Sequence, residues 1–351
     1  MIVSAALLAT LLARPLPRPR QAAGEPVSPD VAKFATLGDR AAKQLDFNAA
    51  LKDYKKADKA AGHDCVACLL RIATAESRLG DLNAAVDAAK KAGKLAAGNP
   101  ALLEPAEQQL GDLLTAQAGL AHPDQGKLKR AAAAFTAALN AGAGAAQRDT
   151  LRYDLDVLLI RRKQADAGLA GLRSLTSDTA LNPTLASQSH KILADPKLAF
   201  EVIAPDFSFT ANDGHTYSTT SLKGKVALID FWGTWCEPCR QSVPMLQAVR
   251  SEFARKPGFV MLGVSSDTDA ATWRKFMQQQ RMVWPDFLDS DQAVQQAFDV
   301  REFPTYIVLR RDGSIAFRDS GLEPRNDVAA LDMITGQQRA LERAILRALH
   351  Q

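Results

Sequence analysis

Phe231-Trp232-Gly233-Thr234-Trp235-Cys236-Glu237-Pro238-Cys239 follows an apolar run and precedes a segment with helical spacing. The C-x-x-C pair therefore lies where a buried strand gives way to a helix. A thiol at a helix N-terminus lies against free backbone N–H groups and the positive end of the helix dipole, which favours the thiolate. We predict that Cys236 is the nucleophile and that Cys239, one turn deeper, resolves the mixed disulfide.

The strand before this pair, Val226 to Trp232, is apolar except for Asp230. An unpaired carboxylate in such a strand is costly when charged, so we expect burial to raise the pKa of Asp230. A carboxylate with a raised pKa can accept the proton of the resolving thiol. The alternative is that Asp230 pairs with a neighbouring group for purely structural reasons.

Residues 200–351 alternate between strand and helix patterns and predict an α/β domain. The clearest hairpin signal is Asn212-Asp213-Gly214 between two short β-rich runs. The remaining predicted elements are strands at 226–232, 259–264, 305–309 and 314–317 and helices from the C-x-x-C pair to 253, at 271–280 and at 337–349.

The N-terminal half is rich in alanine and predicts helices. Its sequence also repeats, since Asp46-Phe47-Asn48-Ala49-Ala50-Leu51 recurs 35 positions later as Asp81-Leu82-Asn83-Ala84-Ala85-Val86. A period near 34 is typical of helix–turn–helix repeats. This segment resembles the tetratricopeptide repeat family, with small residues at Gly38 and Ala73 and a large one at Tyr54. We therefore predict an all-α repeat domain over residues 30–173 and a linker, with room for one helix, over 174–199.

Within residues 1–24, an apolar run over residues 1–13 is followed by arginines and by the small residues Ala22 and Gly24. The run is too short for a confident membrane span and suits a secretory signal peptide. We therefore expect export to the periplasm or cell envelope. The alternative is a frayed N-terminus.

The chain has four cysteines, and the second pair is Cys65-Val66-Ala67-Cys68. It opens a repeat helix, so the two sulfurs can share one face. Buried small residues, a passive local disulfide and a second redox pair all remain open. Haem attachment would need histidine after the second cysteine, and Leu69 stands there.

The segment from Ala204 to about Leu322 resembles the thioredoxin superfamily, and within it the exported TlpA/ResA-like thioredoxins. The residues that carry this resemblance are the A-P-D-F phrase at 204–207, the S-L-K-G-K phrase at 221–225, W-C-E-P-C at 235–239 and F-P-T at 303–305.

The resemblance implies that the bond before Pro304 is cis and that Pro304 faces the disulfide. It also implies that Pro244 kinks the active-site helix. The residues expected to contact the substrate are Trp235, Glu237, Pro238, Phe303 and Thr305. Many ResA-like proteins carry glutamate where this chain has Ser242, whereas Asp230 matches the acid of thioredoxins, so the pattern is mixed.

We expect a thiol–disulfide oxidoreductase that acts on protein thiols and disulfides, with an upstream electron donor and with partners docked on the repeats. Glu237 beside Cys236 disfavours the thiolate and favours a reductase. We expect no metal and no small-molecule cofactor, because the redox-active group is the Cys236–Cys239 disulfide itself. The alternatives are a redox-sensing scaffold and a thiol peroxidase.

Composition and the scattered histidines argue against two other classes. The net charge is +4, and no basic stretch is interleaved with aromatic residues, so nucleic-acid binding has no support. None of the five histidines neighbours Cys236 or Cys239 in the sequence, which argues against a Cys–His hydrolase.

Overall fold

The computed structural model describes residues 28–321 and 327–351. The predicted signal peptide, residues 1–24, lies outside this range. The chain divides into two compact units between Phe200 and Glu201. No described helix is both long enough and apolar enough to cross a bilayer.

The first unit is helical throughout its described length, as its alanine-rich sequence predicts. Consecutive helices pack against each other in pairs. The helices of this unit are α1 (Pro29–Lys43), α2 (Phe47–Ala60), α3 (Val66–Arg78), α4 (Leu82–Leu95), α5 (Pro100–Ala118), α6 (Gln125–Asn140), α7 (Ala145–Arg161), α8 (Ala165–Thr176) and α9 (Pro183–Ala194).

The sequence repeat recurs as a structural repeat in α2 and α4. Asp46 and Asp81 are the N-caps of these helices, and each carboxylate accepts the N–H of the residue three positions on, at 2.9 Å. Such a cap stabilises a helix by about 1 kcal/mol. The equivalent alanines Ala50 and Ala85 are both fully buried, where a larger side chain would separate the paired helices.

The segment 174–199, predicted as a linker, is mostly helical and belongs to the first unit. It contains the end of α8, all of α9 and most of a 3-10 helix, Pro196–Phe200. The reason lies in its apolar side chains, because Leu181, Ile192 and Leu198 are buried.

The second unit contains a small hairpin and one mixed sheet. Its elements are β1 (Ser208–Thr210), β2 (Thr216–Ser218), β3 (Val226–Trp232), α10 (Glu237–Phe253), β4 (Phe259–Ser265), α11 (Ala270–Gln279), β5 (Asp286–Leu288), α12 (Ala293–Ala297), β6 (Thr305–Leu309), β7 (Ile315–Ser320) and α13 (Asp327–His350). The sheet has the order β5-β4-β3-β6-β7. Strands β3, β4 and β5 are parallel, and β6 and β7 are antiparallel to their neighbours.

Strand β3 is central, and its side chains point alternately to the two faces of the sheet, so they pack into two core layers. Leu228 and Trp232 face the layer formed with α10 and α13. Ile229 and Phe231 face the opposite layer, formed with the β1–β2 hairpin and α12. Asp230 therefore points to the same side as Leu228 and Trp232, which is the side of the C-x-x-C helix.

Candidate active site

Cys236 and Cys239 form a disulfide at the start of α10. Cys236 is the N-cap residue, and its sulfur accepts the backbone N–H of Cys239 at 3.2 Å. The same N–H and the helix dipole would stabilise a Cys236 thiolate after reduction. Both cysteines are almost completely buried in this oxidised form, with exposed fractions of 5% and 3%.

The first turns of α10 fit the sequence around the disulfide. Pro238 lies in the first turn, where its missing N–H has no helical partner to lose. Pro244 lies inside the helix, as the resemblance implies. The Ser242 hydroxyl donates to the carbonyl of Pro238 at 2.8 Å. Glu237 is exposed and forms an ion pair with Arg240 at 3.2 Å.

The loop before Cys236 is held by Asp267, which follows β4. Its carboxylate accepts the backbone N–H of Thr234 at 3.0 Å and the Thr234 hydroxyl at 2.6 Å. The Ser265 hydroxyl donates to the same carboxylate at 2.7 Å. These bonds fix the approach of the chain to Cys236, and sequence analysis did not identify Asp267.

Two aromatic side chains meet beside the disulfide. The rings of Trp235 and Phe303 pack edge to face with centroids 5.4 Å apart. Trp235 is 63% exposed, which is unusual for a tryptophan and leaves its ring open to a bound chain. The bond between Phe303 and Pro304 is cis, which confirms the implied geometry. That Pro304 faces the disulfide stays a prediction.

The residue after the cis proline begins β6 with a buried side chain. The Thr305 hydroxyl donates to the carbonyl of Glu302 at 2.7 Å and lies 3.0 Å from the Ser320 hydroxyl. Thr305 is fully buried, so it shapes the loop that carries Phe303 and Pro304. That Thr305 contacts the substrate stays a prediction.

Asp230 is 1% exposed in the middle of β3. Its Oδ1 has no hydrogen-bond partner among the described residues. Burial, and then the nearby Asp286 carboxylate, raise the pKa of Asp230 well above its usual range. The predicted rise in pKa is confirmed, whereas its role as proton acceptor stays a prediction.

Asp286, in β5, is a second fully buried acid that sequence analysis missed. Its two carboxylate oxygens accept the indole N–H groups of Trp232 and Trp273, each at 2.9 Å. Burial raises its pKa to about 7 despite these hydrogen bonds, and Asp267 adds a smaller increase. The charge on Asp286 therefore changes near neutral pH.

The sheet register explains why these two acids interact. Asp230 lies opposite Gly263 of β4, and Gly263 lies opposite Asp286 of β5. Directly opposed residues point to the same face of a sheet. Gly263 has no side chain, and the Asp286 carboxylate occupies the space where its Cβ would lie. The glycine thus allows the Asp286 carboxylate to extend toward Asp230.

The same row continues across the sheet on the other side of Asp230. Tyr306 of β6 lies opposite Asp230, and Asp319 of β7 lies opposite Tyr306. Tyr306 is fully buried, and burial together with Asp230 raises the pKa of its hydroxyl well above the usual range. The Gln337 side chain of α13 donates to Asp319 at 2.9 Å. The row therefore places Asp230 between a phenol and a second acid.

Within the described part of the chain, no cluster of three or more histidine, cysteine, aspartate or glutamate side chains could hold a metal ion. The chemistry that these residues can perform is thiol–disulfide exchange, with a buried acid on the same face of the sheet as the C-x-x-C helix.

Comparisons with known proteins agree with this chemistry. Residues 201–334 match the Redoxin family. The chain is 27% identical over 125 residues to the thiol-disulfide oxidoreductase ResA of Geobacillus kaustophilus, covering 36% of this chain and 71% of that protein. It is 32% identical to the thioredoxin-like protein YneN of Bacillus subtilis, covering 32% of this chain and 66% of YneN.

A solved structure, that of a protein from Chlorobium tepidum described as a putative thiol:disulfide interchange protein DsbE, is also similar. It shares 28% identity and covers 42% of this chain and 96% of its own, with a TM-score of 0.37. Each of these matches covers less than half of this chain.

Proposed function

We propose that this chain, whose residues 201–334 match the Redoxin family and resemble thiol-disulfide oxidoreductases, reduces disulfides of partner proteins in the cell envelope. The observation that supports this most is the position of Cys236. Its sulfur caps a helix and accepts the Cys239 N–H, and the residue before it, Trp235, has an exposed aromatic side chain.

The reduced pair would act in two exchange steps. The Cys236 thiolate attacks one sulfur of the substrate disulfide, which forms a mixed disulfide and releases the other substrate sulfur as a thiolate. Cys239 then loses its proton and attacks Cys236, which releases the second substrate thiolate and leaves the Cys236–Cys239 disulfide. Two electrons pass from the enzyme to the substrate.

We place the acceptor of the Cys239 proton at Asp230. A buried carboxylate with a raised pKa is protonated more readily than a solvated one, so it is a stronger base when ionised. Asp286 strengthens this effect, because a negative charge on Asp286 disfavours a second charge on Asp230. The two buried acids thus prepare the resolving step.

The reductase direction rests on the charges beside Cys236. Glu237 disfavours a thiolate at the neighbouring sulfur, and its exposed ion pair with Arg240 offsets this only in part. A less stabilised thiolate makes the dithiol the stronger reductant. Electrons would then come from an upstream donor in or at the membrane.

We further propose that partner proteins dock on the helical unit. An open groove of about 590 Å³ lies between α6 and α7, with alanine side chains on its floor and Lys129 and Arg162 in its lining. This arrangement fits an apolar segment of a partner that carries an acidic group. Thr136 lines the groove, so the substitution Thr136→Trp would fill it. Thr150 does not line the groove, so Thr150→Trp serves as the control.

The docking proposal predicts a difference between large and small substrates. Thr136→Trp should raise KM for a protein disulfide several-fold and leave the reduction of a small aromatic disulfide unchanged. An unchanged KM for the protein substrate, or an equal effect of Thr150→Trp, would rule out this groove.

The reductase proposal is tested by reduction of insulin with dithiothreitol as donor, together with a glutathione redox titration. Wild type should turn over with a potential below about −200 mV, and Cys236→Ser should be inactive. Cys65→Ser/Cys68→Ser is the matched control and should keep the activity. Wild-type inactivity in this assay, or rapid consumption of hydrogen peroxide instead, would contradict the proposal.

A further inference from the structure

The second C-x-x-C pair, Cys65 and Cys68, has the same local geometry as the active-site pair. Cys65 is the N-cap of α3, and its sulfur accepts the backbone N–H of Cys68 at 3.1 Å. The equivalent distance at Cys236 is 3.2 Å. Both N-caps have extended backbone angles, and both pairs form a disulfide. A thiolate at Cys65 would receive the same stabilisation from a helix N-terminus.

The two cysteines of this pair differ in exposure in the way that exchange requires. Cys65 is partly exposed, whereas Cys68 is 2% exposed and packs against Val31 and Ala57. An attacking thiolate can therefore reach Cys65, and Cys68 is the sulfur that leaves. Cys65 is more open than Cys236, which is 5% exposed.

A purely structural role fits this disulfide poorly. A crosslink stabilises a fold mainly by restricting the unfolded chain, and the effect falls as the closed loop becomes shorter. Here the loop runs only from the N-cap to the third residue of the same helix, so the bond joins no two elements. The side chains that pack around it are small or apolar: Val31, Phe34, Ala35, Ala57 and Ala61.

We propose that Cys65–Cys68 is a second redox site, which exchanges electrons with a protein dithiol through Cys65. The dithiol that this chain supplies is Cys236/Cys239, so the exchange with that pair rests on the proposed function. The reversible reduction and oxidation of Cys65–Cys68 itself do not rest on the proposed function.

The exchange balances as a two-electron transfer. The Cys236 thiolate attacks Sγ of Cys65, forming a Cys236–Cys65 bond and releasing Cys68 as a thiolate that takes a proton. The Cys239 thiolate attacks Sγ of Cys236 and releases Cys65 as the thiolate at the start of α3. The Cys65–Cys68 pair is then reduced, and the Cys236–Cys239 pair is oxidised.

The first test uses the full chain with Cys236→Ser/Cys239→Ser, which retains only the second pair. The protein is equilibrated in glutathione or dithiothreitol buffers, alkylated and analysed by mass spectrometry, with circular dichroism recorded on the same samples. We expect a reversible two-electron transition without loss of helix, and at least tenfold faster alkylation of Cys65 than of Cys68. A pair that stays oxidised in excess dithiothreitol, or helix loss on reduction, would overturn the proposal.

The second test measures the transfer. Pre-reduced Cys65→Ser/Cys68→Ser protein is mixed with the oxidised variant of the first test, and the same protein with an added Cys236→Ser change is the control. We expect Cys65–Cys68 to be reduced at least ten times faster than in the control, and equal rates would overturn the exchange. Insulin reduction by Cys65→Ser/Cys68→Ser protein separates this failure from failure of the proposed function, because that activity requires Cys236 and Cys239 and not the second pair.

Discussion

The substitution Gly263→Ala tests whether the Asp286 carboxylate occupies the space above β4. The added methyl group would overlap this carboxylate, which would have to move away from Trp232 and Trp273. Each hydrogen bond to a charged group contributes about 1.5–3 kcal/mol. Loss of both bonds should therefore lower the free energy of unfolding by about 3 kcal/mol or more.

The assay is urea unfolding about two pH units above the Asp286 pKa of about 7, where this carboxylate is ionised, set up as a double-mutant cycle with Asp286→Ala. Without the carboxylate, Gly263→Ala should cost less than about 0.5 kcal/mol, because alanine suits a strand at least as well as glycine. Gly336→Ala, whose added Cβ meets no neighbour, is the matched control and should be neutral or slightly stabilising. An equal cost of Gly263→Ala in both backgrounds, or no cost in either, would refute the reasoning.

Three further predictions concern the acids and the aromatic pair. Burial raises the pKa of Asp286 from 3.8 to about 7, so the native state holds a proton that the unfolded chain has already released over this range. The free energy of unfolding of the wild type should therefore fall, relative to that of Asp286→Asn, by roughly 4 kcal/mol in total as pH rises from about 4 through 7. Urea unfolding across this pH range measures the difference. A difference that stays constant with pH would refute the raised pKa of Asp286. Asp230→Asn should slow insulin reduction by about 10² at neutral pH, and the loss should lie in the release of the mixed disulfide; an unchanged release rate would remove Asp230 from the mechanism. Trp235→Ala should raise KM for insulin several-fold with little change in kcat or stability, since its side chain is exposed and packs on Phe303 alone among the described aromatic rings. A large loss of stability in this variant would assign Trp235 to the core instead.

The sequence predicted the elements that have strong local signals. The hairpin around Asn212-Asp213-Gly214, strand β3 and the helix after Cys236 all form where the pattern placed them. The reason is that turn residues, apolar runs and an N-terminal proline act within a few residues of the chain. The cis bond at Pro304 was implied by the resemblance, since nothing in the local sequence determines it.

The residues that the sequence did not reveal are those that depend on register. Asp286 lies in a three-residue strand after a proline, which is too short to show a period. Its importance comes from Gly263 on the next strand and from two tryptophans that are distant in sequence. Trp273 is buried, and its indole N–H donates to this acid. The available signal for this site was a glycine inside a buried strand, because such a glycine often marks a place where another group approaches the backbone closely.

The helical unit shows the same division between local and distant information. The aspartate caps at 46 and 81 follow directly from the sequence repeat, and both form. The helices of residues 174–199 were underestimated because their polar surface resembles a linker, whereas their few apolar residues are enough to attach them to the unit.

Trapping the mixed disulfide tests most directly whether Cys236 is the attacking thiol. Reduced Cys239→Ser protein is mixed with insulin, quenched in acid and mapped by mass spectrometry, with Cys236→Ser as the matched variant. The position of Cys236 at the start of α10 predicts a stable adduct at Cys236 and at least tenfold less adduct at Cys239 in the matched variant. Equal trapping by both variants, or trapping mainly at Cys239, would contradict the assignment of Cys236 as the nucleophile.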